Sequence, residues 1–127
     1  MQKQIYYHDT DAGGVVYYAR YLEYLEEART EYLEKKGLNI VSIKKQGFLY
    51  AVKDCYINYK SPARYGDKIL CDAKLSKITA VQMVFDQTIT HANTQEILVE
   101  AKVTLVSLNK DFKPTPIPQS IRDLLTA

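Results

Sequence analysis

The chain has 127 residues, 46% of them hydrophobic and 25% charged, and its 17 basic and 15 acidic side chains are well mixed. That length accommodates one core and not two, and no basic run or stripe suggests a nucleic-acid partner. The longest apolar runs fall far short of the roughly 20 residues that cross a bilayer, and MQKQIYYHDTD has no apolar leader before its acids. The expectation is a single domain over 1–127, cytoplasmic and not inserted in a membrane.

Gln2–Tyr7 reads as a short strand, because IYY is β-prone. The Asp- and Gly-rich segment 9–14 breaks it. From about Val16 to Lys36 the period becomes helical, with Tyr18, Tyr21, Leu22, Leu25, Ala28, Tyr32 and Leu33 on one face. Gly37 is placed to end that helix, with Lys35 and Lys36 suiting its negative pole. Val41–Gln46 offers one short helical turn.

Four strand patterns follow: Phe48–Lys60, Lys68–Ile78, Val81–Thr90 and Glu96–Leu108. Thr79-Ala80 is too brief for anything but a hairpin, and Ala92-Asn93-Thr94 makes the next turn. KPTPIP (113–118) forbids further sheet, and Gln119–Leu125 reads as a tail helix. One long helix against a roughly five-stranded antiparallel sheet is an α+β layer architecture. A single helix covers only one face of such a sheet, so a partner subunit is expected over the remainder or along its edge.

The eleven tyrosines, with no tryptophan, crowd into the first 65 residues. An aromatic-lined groove or interface is expected there. Cys55 and Cys71 sit in alternating stretches without a CxxC partner, and both read as small buried hydrophobes. Two histidines and two cysteines, scattered as they are, give no metal site, and no cofactor is implied. No GxxxxGK phosphate loop is present.

The segment HDTDAGG (8–14) carries the chemical interest. Asp9, Thr10 and Asp11 could be helix caps, but Val15 and Val16 separate them from the helical period. Gly13-Gly14 adds freedom that no cap requires. Two glycines before a helix let a ligand approach the backbone and aim the first N–H groups outward. An acid beside such donors suits acyl transfer, with a carboxylate that attacks or activates water and amides that hold the oxyanion. Spacing alone leaves both the capping loop and the acyl-transfer site open.

The stretch YYHDTDAGGVVYYARYLEYLEEAR resembles the 4-hydroxybenzoyl-CoA thioesterase family, and within it the YbgC-like acyl-CoA thioesterases. YKSPARYGD (59–67) and the late KPTPIP extend that resemblance over most of the chain. It implies the hotdog fold, in which an antiparallel sheet wraps a long central helix, assembled as a homodimer or homotetramer. It implies an acyl-CoA thioesterase in which Asp11 is nucleophile or general base and the Tyr18 N–H meets the thioester carbonyl. Gly14, Val15, Val16 and Tyr17 shape the approach, while Asp9 and Thr10 fix the loop. Many YbgC-like members have His where this chain has Tyr18. A tyrosine hydroxyl is a poor base at neutral pH, which bears on rate, and the aromatic side chain at this point makes an aromatic or short acyl group the expected substrate. The resemblance also makes acyl carrier protein a candidate partner, with a weakly catalytic acyl-binding module as the alternative function.

Other residues have bland readings beside the functional ones. Lys60, Arg64 and Lys68 could contact coenzyme A phosphates or solubilise a strand-edge loop. Pro62 and Gly66 are turn residues on either reading. Tyr59 and Tyr65 line a channel or pack at a subunit boundary. His8 is expected on a solvated rim and His91 exposed at a turn. Glu26, Glu27 and Arg29 read as an ordinary helix surface, with Arg29 pairing a carboxylate or reaching across an interface.

Overall fold

Alternating apolar residues over 68–108 fold into the long strands that organise the molecule. The structure, a computed structural model, describes residues 1–127. Its strands are β1 (Gln2–Gln4), β2 (Leu49–Tyr59), β3 (Lys68–Ile78), β4 (Gln82–His91) and β5 (Ile97–Leu108). They form one sheet in the order β1-β3-β4-β5-β2, with every neighbouring pair antiparallel. Cross-strand rows such as Cys71↔Ile89↔Val99 and Leu75↔Phe85↔Val103 put the apolar set of each strand on one face.

The helix α1 (Arg20–Lys35) lies across that face. Tyr21, Tyr24, Leu25 and Ala28 pack with Ile69, Cys71, Ile89 and Val99. Further along, Leu33 joins Met83, Phe85, Val103 and Leu105. There the core is closed by Ile43 from α2 (Ile40–Lys45) and by Ile121 and Leu125 from α3 (Gln119–Thr126). A fully buried Leu, Ile or Phe contributes about 1.5–3 kcal/mol. Gly37 ends α1 at φ +87, and Asn39 caps α2 by accepting from the N–H groups of Val41 and Ser42.

Three expectations for α1 change. The helix starts at Arg20, not Val16, because β-branched Val15 and Val16 run extended and bridge to Arg64 and Thr10. Its buried stripe takes in Tyr24 and Arg29, while Tyr18 and Leu22 are exposed. Arg29 pairs with no carboxylate; its Nη1 donates to Gln87 Oε1 at 3.1 Å, and Gln87 Nε2 donates to the Leu25 carbonyl at 3.0 Å.

Cys71 is buried as expected, but Cys55 is exposed. Cys55 pairs with Val103, so it faces the helix side of the sheet. β2 is the edge strand on that side, and α1 leaves its inward face uncovered at Cys55 and Tyr59.

Candidate active site

Residues 10–16 close into a three-residue hairpin. Thr10 bridges Val16, the Asp11 N–H donates to the Val15 carbonyl at 2.9 Å, and the Gly14 N–H donates to the Asp11 carbonyl at 3.0 Å. Gly14 holds φ +78, the left-handed position this turn demands. Asp11 Oδ1 accepts from the Gly13 N–H at 2.8 Å, and the residue is exposed. The two glycines therefore have different tasks: one sets the turn and the other orients the carboxylate.

The loop is pinned from both sides. The Val16 N–H donates to Ala63 and the Tyr17 N–H to the carbonyl of Asp9, both at 2.9 Å. Asp9 is 3% exposed, and its Oδ2 accepts from the Tyr6 N–H at 2.9 Å. Thr10 Oγ1 donates to the Tyr7 carbonyl at 2.7 Å. Asp9 and Thr10 thus hold the loop by hydrogen bonding, as expected. His8 stands on the rim, its Nδ1 3.5 Å from Asp9 Oδ1.

Beyond Tyr17 the chain turns into α1. Tyr17, Tyr18 and Ala19 give their carbonyls to Arg20, Tyr21 and Leu22, but the N–H groups of Tyr18 and Ala19 have no acceptor within the protein. These are orphan donors at the positive end of a helix dipole.

Asp11 and Tyr18 line neighbouring concavities, not one. Asp11 and Gly14 share theirs with Tyr7, Thr10, Ala12 and Tyr65, whose rings Tyr7 and Tyr65 meet edge to face at 6.1 Å. Tyr18 shares the other with Val16, Tyr21, Tyr59, Ser61 and Pro62. Val16 lines the Tyr18 hollow, and Val15 lines neither. Tyr17 lies against Tyr18 at 5.0 Å between ring centroids but lines neither hollow. The backbone of Arg64 braces Val15. Lys60 lines the Tyr18 side and lies 3.5 Å from Glu100. A third hollow, on the outer sheet face among Tyr56, Lys74, Asp86 and Lys102, is remote from these loops in the fold.

Sequence reasoning put Tyr21 on the buried helix face, where it is 3% exposed, but missed its place in the site, where it accepts the Ala63 N–H at 3.1 Å. Burial raises its phenol above the ordinary range, outweighing that hydrogen bond. It also missed Asp67 and misplaced His91, which is sheltered beside Asp67 with 18% of its side chain exposed. The Gly66-Asp67 pair was a visible turn signal for the first, whereas the second depends on a contact distant in sequence.

Residues 6–125 match the thioesterase-like superfamily over nearly the whole chain. The chain belongs to that family. It is 34% identical over 122 residues to the acyl-CoA thioesterase YbgC of Haemophilus influenzae, covering 94% of this chain and 88% of the relative. An Arabidopsis thaliana chloroplast acyl-acyl carrier protein thioesterase, ATL3, is 35% identical over 91% of this chain and 60% of its own length. Among solved structures, a 1,4-dihydroxy-2-naphthoyl-CoA thioesterase from Synechocystis superposes with a TM-score of 0.91 at 26% identity, covering 99% of this chain and 93% of that one. The family places the α+β layers described above in the hotdog fold, and thioester hydrolase is the enzyme class of the chain. The resemblance to YbgC-like thioesterases holds over almost all of it. No helix is long and apolar enough to cross a membrane.

Proposed function

We propose that this protein is a cytoplasmic acyl-CoA thioesterase in which Asp11 is the reacting acid. The observation that carries the reading is one short segment. It presents an exposed carboxylate oriented by the Gly13 N–H and, at the start of α1, two peptide N–H groups without acceptors. Either the Asp11 carboxylate attacks the thioester carbon, releasing the thiolate and leaving an acyl anhydride that water cleaves, or it takes a proton from the attacking water. In both routes the carbonyl oxygen gains charge, which the Tyr18 N–H and the helix dipole stabilise.

Tyr7, Tyr17, Tyr18, Tyr59 and Tyr65 surround the segment, and their rings favour an aromatic or short acyl group over a long flexible chain. Gly14, Val15, Val16 and Pro62 shape its approach. The exposed Arg64 is free to meet coenzyme A phosphates. The uncovered inward face of β2 at Cys55 and Tyr59 fits a homodimer, or a homotetramer built from it.

The experiment is thiol release from short aliphatic, long aliphatic and aromatic acyl-CoAs by wild type and Asp11→Asn. The expected result is hydrolysis of the aromatic or short members and its loss in the variant. A preference for long aliphatic chains would remove the role given to the tyrosines. A variant as active as wild type would remove that given to Asp11.

A second reading rests on the name of the Arabidopsis relative, an acyl-acyl carrier protein thioesterase. Acyl carrier protein is then the partner in place of coenzyme A, with weak or no turnover. Binding that survives Asp11→Asn, together with no hydrolysis of any acyl-CoA, is its signature.

A further inference from the structure

Asp67 follows the turn after β2, and its two carboxylate oxygens are divided between neighbours. Oδ2 accepts the N–H of Arg64 at 2.8 Å. Oδ1 lies 3.5 Å from Nε2 of His91, the last residue of β4. The other ring nitrogen, Nδ1, accepts from the N–H groups of Asn93 at 3.2 Å and Thr94 at 3.3 Å. A nitrogen that accepts carries no proton, so the proton of the neutral ring sits on Nε2 and faces Asp67. The hairpin turn thus fixes the tautomer that Asp67 needs.

The contact continues to the candidate site. Arg64, held by Asp67, bridges Val15, and Ala63 beside it accepts the Val16 N–H at 2.9 Å. The Val15 carbonyl in turn accepts the Asp11 N–H at 2.9 Å. His91 therefore stands at one end of a continuous set of contacts whose other end is the backbone of Asp11. Neither His91 nor Asp67 is well exposed, with 18% and 27% of their side chains accessible, so water competes weakly for this link.

We propose that His91 is a positioning residue for thioester hydrolysis, acting through Asp67 and the Ala63–Arg64 segment to hold the hairpin that carries Asp11. The proposal rests on the reading of Asp11 as the reacting acid. A rival role for His91, capping the β4–β5 turn and nothing more, uses only Nδ1.

Two substitutions separate these roles. His91→Asn keeps an acceptor near the Asn93 and Thr94 amides but cannot reach Asp67. His91→Gln keeps a donor able to reach Asp67 but loses the nearby acceptor. Positioning predicts that His91→Asn folds normally and lowers kcat about tenfold, with KM within about twofold, while His91→Gln keeps most of kcat. Amide hydrogen exchange at Arg64 supplies a readout independent of activity: about tenfold faster in His91→Asn and unchanged in His91→Gln, a factor equivalent to about 1.4 kcal/mol of lost local stability. Wild-type kcat in His91→Asn, equal losses in both variants, or a lost kcat with unaltered exchange at Arg64 would each overturn the proposal. If wild type hydrolyses no acyl-CoA, the thioesterase reading fails, while the exchange at Arg64 still decides whether His91 holds the loop.

Discussion

Tyr59 Oη donates to the carbonyl of Tyr18 at 3.2 Å, tying the end of the edge strand β2 to the turn from which α1 begins. Burial raises the Tyr59 phenol, with the neighbouring Cys55 and Tyr18 adding to it, so it remains a donor across the neutral range. The same turn exposes the orphan Tyr18 N–H. That carbonyl shares its peptide plane with the equally unpaired Ala19 N–H, so holding it steadies the turn that presents both amides.

Tyr59→Phe removes that one bond and keeps the ring that meets Tyr18 and Tyr21 at 6.2 and 5.6 Å. The loss of a neutral hydrogen bond of about 1 kcal/mol corresponds to roughly a fivefold drop in kcat/KM. Steady-state thiol release on the preferred acyl-CoA measures it. Unchanged kinetics would show that the turn keeps its geometry without β2.

The two glycines of the hairpin make a sharper pair. A Cβ on Gly13 would lie 3.2 Å from Asp11 Oδ1. Its backbone is not left-handed, so Gly13→Ala should displace the carboxylate at little cost to folding. A Cβ on Gly14 meets nothing within 4 Å, yet φ +78 penalises it. Gly14→Ala should cost about 1–2 kcal/mol in urea denaturation. Gly13→Ala should cost less than about 0.5 kcal/mol and still lower kcat about tenfold. If both variants lose stability equally, the division of labour between the glycines is wrong.

How far the sequence led can be judged from these same elements. The strands from Lys68 to Leu108 were legible because residues such as Ile69, Cys71, Phe85 and Val103 alternate with polar ones on a half-buried sheet. Gly37 marked the end of α1 by the conformation it adopts. The start of α1 was misjudged because the pairing of Val15 with Arg64 is tertiary and overrides a local period. Tyr24 and Arg29 were missed for a related reason. A polar tip predicts exposure, but Gln87, far away in sequence, gives the Arg29 guanidinium an acceptor inside the core. Asp11 stood out through its glycines. His91 and Asp67 did not, because what joins them is a fold-level contact between residues 24 apart.

Arg29 and Gln87 also allow a test of the core. Gln87→Leu leaves a guanidinium whose charged form burial already disfavours without its acceptor. The expected cost is about 2–3 kcal/mol. Adding Arg29→Met to Gln87→Leu removes the stranded charge and should restore most of that loss. Urea denaturation of wild type, the single variant and the double variant gives both numbers. A double variant no more stable than Gln87→Leu alone would mean that volume, not hydrogen bonding, governs this site.

Alkaline stability should report on Cys71. Burial, the dominant cause, pushes its thiol up to about 12, whereas a free thiol titrates near 8.5. The folded value exceeds the unfolded one, so the contribution is complete below about pH 8.5 and is lost as pH rises toward 12. One such group costs at most about 1.4 kcal/mol per pH unit inside that window. Tyr21 and Tyr50, both raised by burial, act in the same direction only above about pH 10. Between pH 8.5 and 10 the decline should therefore come from thiols, with Cys71 leading and the more exposed Cys55, also raised, adding less. Cys71→Ala begins less stable at pH 8, because it leaves a small cavity, but its unfolding free energy should fall less steeply over that range. Urea midpoints at pH 8, 9 and 10 compare the slopes, and parallel slopes would show that another group controls alkaline unfolding.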